Sequence, residues 1–168
     1  MSSRFETEIQ KLMAPLYRYA MALTGSDADA QDLVQETLLK TVKHREKFER
    51  MENRQSWLFT VMSNAFRDSI RRKHRRPQSG PLMSEPRCNS NCQEQKDKTL
   101  EHLAKAIGCF RQLPSRQRQV LYLRCVEEYS IKQIAQTLQT TENGVKANLS
   151  VARKKIRQLM AKDKQVLE

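Results

Sequence analysis

Glycine is scarce in this chain: its 168 residues hold four, none grouped into a loop that could cradle phosphate. The four cysteines, Cys88, Cys92, Cys109 and Cys125, are too few and too clustered for a disulfide scaffold. No apolar run approaches the roughly 18 residues that span a bilayer. The opening stretch, MSSRFETEIQK, is polar where a signal peptide carries its apolar core. These absences point to a soluble, cytosolic protein. His44, His74 and His102 are isolated, with no acidic cluster at metal-ligand spacing and no nucleophile beside a base. Catalysis is therefore excluded, and no cofactor is expected. Strand-like alternation is missing as well, so the chain reads as all-α.

What is present is positive charge, unevenly placed. The formal net charge is +12. Residues 1–66 are neutral, with nine basic and nine acidic side chains. Residues 67–76 (RDSIRRKHRR) carry six basic side chains against Asp68 alone. Residues 77–99 balance again, and residues 100–168 hold thirteen basic against six acidic. Two separate positive elements suggest two footprints on one polyanion, with nucleic acid the leading candidate.

Three of the five prolines, Pro77, Pro81 and Pro86, fall in a stretch rich in Ser, Asn and Gln and poor in apolar residues. Such a segment buries too little surface to offset its ordering entropy, and 77–98 reads as a flexible linker. Two small helical domains are expected around it, 1–76 and 99–168.

In the first, Phe5, Ile9, Leu12, Met13, Leu16, Ala20 and Leu23 mark a long amphipathic helix with Gly25 at its C-terminal cap. Ser26 with Asp29 resembles a capping box opening a second helix, Asp27–Arg45. Its predicted buried side is Leu33, Val34, Thr37, Leu38 and Thr41, while Asp32, Gln35, Glu36, Leu39 and Lys43 share the opposite arc. That arc is either a solvated face with one stray leucine or a docking surface, its apolar anchor ringed by acid and amide groups. After Phe48 and a polar loop, Glu49–Arg54, a third helix is expected to start near an Asn53 N-cap. Trp57, Val61, Met62, Ala65, Ser69 and Ile70 are predicted to face the core. Thr60, Asn64, Arg67, Arg71 and Arg75 form a polar line that turns basic, which favours phosphate and base contact over plain solvation. Phe48, Phe59 and Phe66 near such a face suit base stacking, although ordinary core is the simpler role for most of them.

In the second domain, Leu100, Leu103, Ala104, Ile107 and Phe110 predict a helix ended by Leu113-Pro114-Ser115. Another runs from Ser115 through Val120, Leu121 and Leu123. Ser130 and Gln133 form a capping box for a short helix containing Ile131, Ile134, Ala135 and Leu138. After Gln139-Thr140-Thr141 a final helix buries Val145, Leu149, Ala152, Ile156 and Leu159. Its exposed arc is Asn143, Lys146, Ala147, Ser150, Arg153, Lys154 and Arg157. A short helix, a tight turn and a longer basic helix make a helix-turn-helix, the last helix suited to a DNA major groove.

Asp32-Leu33-Val34-Gln35-Glu36-Thr37 resembles the D-x-x-Q-E pattern of bacterial sigma factors. Trp57-Leu58-Phe59-Thr60-Val61-Met62-Ser63-Asn64 is similar to their W-L-x-x-I-A-x-N helix, and Leu113-Pro114 with the helix-turn-helix resembles their promoter-reading C-terminal domain. Order and length resemble the small extracytoplasmic-function group, which keeps sigma domains 2 and 4. The resemblance implies that Asp32, Gln35 and Glu36, with Leu39 beside them, dock on the β′ clamp helices of core RNA polymerase. It implies a second polymerase contact at the β flap. Asn64, Arg67, Arg71, Arg72 and Arg75 would serve recognition and melting of the minus-ten element. The exposed arc of the last helix would read the minus-thirty-five element, with Lys146, Ser150 and Lys154 nearest the bases. An anti-sigma factor is a further partner that the family commonly has.

The chain departs from the family pattern at Asn143-Gly144-Val145, where a Gly-Thr-Val step is frequent, and at the short reading-face residues Ala147, Ser150 and Val151. Cys88 and Cys92, four apart in the linker, could bind metal or form a redox switch, to which His102 and Cys109 could contribute only if the linker folds back; two bystander thiols are the simpler reading. The competing function is a stand-alone helix-turn-helix regulator of duplex operators. It leaves the basic, asparagine-bearing helix at 57–76 without a role.

Overall fold

Helical spacing of the apolar residues is realised throughout the described residues. The computed structural model describes residues 4–75 and 106–165. They form eight helices: α1 (Arg4–Thr24), α2 (Asp27–Lys43), α3 (Arg45–Arg50), α4 (Arg54–Arg75), α5 (residues 106–111), α6 (Ser115–Cys125), α7 (Ile131–Thr137) and α8 (Glu142–Gln165). No strand occurs among the described residues, and the fold class is all-α. The chain divides into two compact units, the first built on α1–α4 and the second on α5, α6, α8 and most of α7. The expected linker over 77–98, with Cys88 and Cys92, lies outside the described residues.

In the first unit α1, α2 and α4 pack on one another. Phe5, Leu16, Tyr19, Ala20 and Leu23 of α1 meet Ala30, Leu33 and Val34 of α2 and Leu58, Phe59, Met62, Ala65 and Phe66 of α4 in a common core. α1 runs through Pro15, which removes a helix hydrogen bond and costs about 3 kcal/mol. Burial of apolar side chains on both sides of the proline holds the helix together. Gly25 ends α1 at φ 74°, a conformation that glycine adopts without a Cβ clash.

Several local expectations are corrected. Ser26 stands at the N-cap of α2 but makes no side-chain cap bond, so the box with Asp29 is not formed. Thr24 organises the turn instead, its hydroxyl donating to Ala20 O and accepting from the Ser26 amide. The second helix stops at Lys43 and not Arg45, because His44 leaves helical geometry and caps it. Arg45–Arg50 forms the short α3, which takes in the start of the expected loop and seats the buried Phe48. On α4 the buried positions are Leu58, Phe59, Met62, Ser63, Ala65 and Phe66, while Trp57, Val61, Ser69 and Ile70 are only partly covered. A helix that packs on two neighbours buries a wider face than one apolar stripe suggests.

The buried hydroxyls of this core are hydrogen-bonded. The buried Thr37 and Thr41 hydroxyls bond one turn back, to Leu33 O and Thr37 O at 2.7 and 2.8 Å. Tyr19 Oη and Ser63 Oγ, both buried, lie 2.8 Å apart and join α1 to α4.

The second unit follows its local signals closely. Pro114 stands at the N-cap of α6, which buries Val120, Leu121, Tyr122 and Leu123. The Ser130–Gln133 capping box is fully formed: the Ser130 amide donates to Gln133 Oε1 at 2.8 Å, and the Gln133 amide donates to Ser130 Oγ at 3.2 Å. α8 packs on α6 through Val145, Leu149 and Ala152, while Ile156 and Leu159 are only partly covered. In α5 the core position belongs to Cys109, and Ile107, one of the apolar residues that mark this helix, is 46% exposed.

Tyr19→Phe should test the α1–α4 link. It strands a buried hydroxyl, so the urea midpoint should fall by the equivalent of about 1 kcal/mol with little change in slope. An unchanged midpoint would show the hydrogen bond to be dispensable.

Candidate nucleic-acid and polymerase interfaces

Three helix faces carry the candidate residues. On α2, Asp32, Gln35, Leu39 and Lys43 are exposed, and Glu36 is partly covered. Leu39 is 64% exposed, and Val42, at 59%, adjoins it because the two stand three apart on one helix. Sequence patterns do not single out Val42. Its exposure follows from its place around the helix, about 20° from the exposed Gln35, while Thr41 in the same last turn is fully buried.

Glu36 is held from two sides. Lys40 Nζ lies 2.9 Å from its Oε1, and Arg72 Nη2 reaches Oε1 at 3.2 Å and Oε2 at 3.4 Å. Arg72 therefore leans toward α2 and stands off the line of Arg67, Arg71 and Arg75, by about 100° from Arg71 around the helix. Arg71 and Arg75 are exposed and make no ion pair among the described residues, while Asn64 and Arg67 are partly covered. Glu36, Lys40, Asp68, Arg71, Arg72 and Arg75 line an open groove of about 370 Å³ between α2 and α4.

The loop before α4 shrinks to residues 51–53 and is braced at both ends. Asn53 Oδ1 accepts the Ser56 amide at 2.9 Å, the N-cap expected from sequence. Arg54 donates to Glu8 Oε2 at 3.0 Å and stands over the Phe48 ring. Hydrogen bonds from Lys11 and then Arg54 hold the Glu8 carboxyl below the usual carboxylate range. Phe48, Phe59 and Phe66 are buried, so the core role holds for all three.

On α8 the whole expected arc is exposed: Asn143, Lys146, Ala147, Ser150, Arg153, Lys154 and Arg157. Thr141 caps this helix, its Oγ1 accepting the Gly144 amide at 3.1 Å. A Cβ on Gly144 would stand 3.1 Å from Thr140 Oγ1 and 3.2 Å from Thr141 Oγ1, tighter than ordinary contact. The glycine thus leaves room for the cap.

Among the described residues no three His, Cys, Asp or Glu side chains could hold a metal ion, and no helix is long and apolar enough to cross a membrane. Cys109 is buried and Cys125 exposed, and neither forms a disulfide among the described residues.

Residues 9–76 match the family described as Sigma-70 region 2, and residues 103–156 match Sigma-70, region 4. The chain belongs to the sigma-70 family. It is an extracytoplasmic-function sigma factor, and it directs promoter-specific transcription initiation with RNA polymerase. SigL of Mycobacterium tuberculosis is 32% identical over 86% of this chain and 81% of its own length. EcfG of Rhodopseudomonas palustris is 27% identical over 93% of this chain and 84% of its own. Among solved structures, the sigma factor RpoE from Bartonella quintana, in complex with the anti-sigma factor NepR, is similar in fold, with a TM-score of 0.72 at 23% identity. The match covers 94% of this chain and 96% of that one. Sigma factors act as regulators of transcription and not as enzymes.

The cap of α8 is open to test in this sigma factor. Thr141→Ala should cost about 1 kcal/mol and speed hydrogen exchange at the Gly144 amide. Unchanged exchange there would mean that the cap contributes nothing to the first turn.

Proposed function

We propose that this sigma factor divides promoter recognition among its three helix faces. Residues 1–76 act as sigma domain 2 and residues 99–168 as sigma domain 4, with 77–98 linking them. Asp32, Gln35, Glu36 and Leu39 dock on the polymerase clamp helices, with Val42 extending the apolar anchor. Asn64, Arg67, Arg71 and Arg75 engage the minus-ten strand, and Arg72 approaches it from the side of α2. The exposed arc of α8 enters the major groove at the minus-thirty-five element, short residues near its N-terminus allowing close approach and Arg153, Lys154 and Arg157 holding phosphates.

The observation that carries this reading is the exposed Leu39–Val42 pair inside an otherwise polar arc. Two large apolar side chains at solvent lose free energy unless a partner covers them. A stand-alone operator-binding regulator leaves them without a partner. An anti-sigma factor that covers the same arc is a further proposed partner, in line with the complex formed by RpoE of Bartonella quintana.

Melting on this reading involves no covalent step. Unstacking costs a few kcal/mol per base step, and contacts to the displaced strand offset it. Each neutralised phosphate releases counterions, so affinity falls steeply with salt.

Leu39→Asp should weaken binding to core polymerase by about 2 kcal/mol, roughly 30-fold in Kd, with the helical circular dichroism preserved. Unchanged affinity in a titration with sigma-free core would remove the docking assignment. Arg71→Ala with Arg75→Ala should reduce the salt slope of open-complex formation by about 1.4, the share of two single-strand phosphates. Wild-type permanganate reactivity and slope would count against the minus-ten assignment.

A further inference from the structure

The groove between α2 and α4 is lined by four cations, Lys40, Arg71, Arg72 and Arg75, and two carboxylates, Glu36 and Asp68, of which Glu36 is held by Lys40 and Arg72. Four cations against two acids leave this groove positive. Lys40 and Arg72 grip Glu36 as they would grip a phosphodiester: two oxygens, charge-assisted donors from two helices, and distances of 2.9–3.4 Å. The same carboxylate lies in the arc that docks on polymerase. Arg72, alone among the arginines of α4 assigned to DNA, is tied to it across the helix interface.

We propose that this groove is a phosphate-binding site for the nucleic-acid backbone, that Glu36 fills it in the free protein as an internal stand-in for phosphate, and that docking of Glu36 on polymerase vacates it. The proposal rests on the docking assignment above for its last step alone. Exposed ion pairs of this kind are weak, so exchange of partners costs little. Arg72 side-chain exposure of 63% leaves its guanidinium within reach of an incoming strand. Polymerase binding then adds a phosphate contact, and by linkage DNA in the groove favours the docked state of Glu36. Lys40, to which the sequence patterns assign no role, becomes a second phosphate ligand.

The test uses the full chain without polymerase and a fluorescent single-stranded oligonucleotide of random sequence, followed by anisotropy across a salt series. Glu36→Gln should tighten binding about fivefold at about 0.1 M salt and steepen the salt slope by about 0.7, the share of one single-strand phosphate. Adding Arg72→Ala should abolish the gain. Asp29→Asn, the same charge change on α2 outside the groove, should produce a smaller gain. No gain from Glu36→Gln, a gain that survives Arg72→Ala, or an equal gain from Asp29→Asn would each overturn the site. In holoenzyme on promoter DNA, Arg72→Ala should lower the slope by about 0.7–0.9; an unchanged slope would overturn the release step. Should Leu39→Asp leave core affinity intact while the free-protein result holds, the docking assignment and the release step fail and the phosphate site stands.

Discussion

α4 must close a core and present arginines at the same time, and the first unit depends on the packing that permits both. Leu58, Phe59, Met62, Ala65 and Phe66 are buried on one side. Each of the larger side chains among them contributes about 1.5–3 kcal/mol. The arginines at 67, 71 and 75 repel one another at helical spacing by a few tenths of a kcal/mol per pair. Burial wins by a wide margin. Helical propensity alone would not hold so many like charges on one face, so the positive line exists because α1 and α2 pack behind it. The Tyr19–Ser63 bond and the Arg54–Glu8 pair fix where that line begins.

The helix-turn-helix was legible because its determinants are local. The Ser130–Gln133 box, the turn at Gln139-Thr140-Thr141 and the exposed arc of α8 all depend on residues within one or two turns of one another. The first unit was legible in outline and misread where tertiary contacts decide. Two neighbours widen the buried face of α4, so Leu58 and Phe59 join a core that a single stripe does not predict. His44 ends α2 through its backbone conformation, for which its side chain gives no signal. The engagement of Arg72 by Glu36 spans 36 residues and has no local trace at all.

Departures from the family pattern have physical causes where the geometry reaches them. Gly144 carries a helix-propensity cost of up to about 1 kcal/mol relative to Ala. Two threonine hydroxyls crowd the space where its Cβ would stand, and one of them caps the helix. The glycine avoids that crowding, against its propensity cost. Short residues at 147 and 150 leave the leading turns of α8 slim, which on the proposed major-groove placement would favour close backbone approach over long side-chain reach.

A chain with a net charge of +12 faces a problem of selectivity, since most DNA in its surroundings is not promoter. Non-specific affinity grows with every unpaired cation, so a cation that is available only on polymerase improves discrimination without weakening the final complex. On the proposed docking assignment, pairing Arg72 and Lys40 with Glu36 achieves this by geometry: the group that must leave them is the group that polymerase would take. Arg71 and Arg75, which make no ion pair among the described residues, would on the same proposal supply a grip too small to hold DNA tightly alone. Held by polymerase together with the proposed reading helix α8, the same grip would become effectively intramolecular and strong. Selectivity on this reading comes from which charges are free, and in which complex, more than from how many there are.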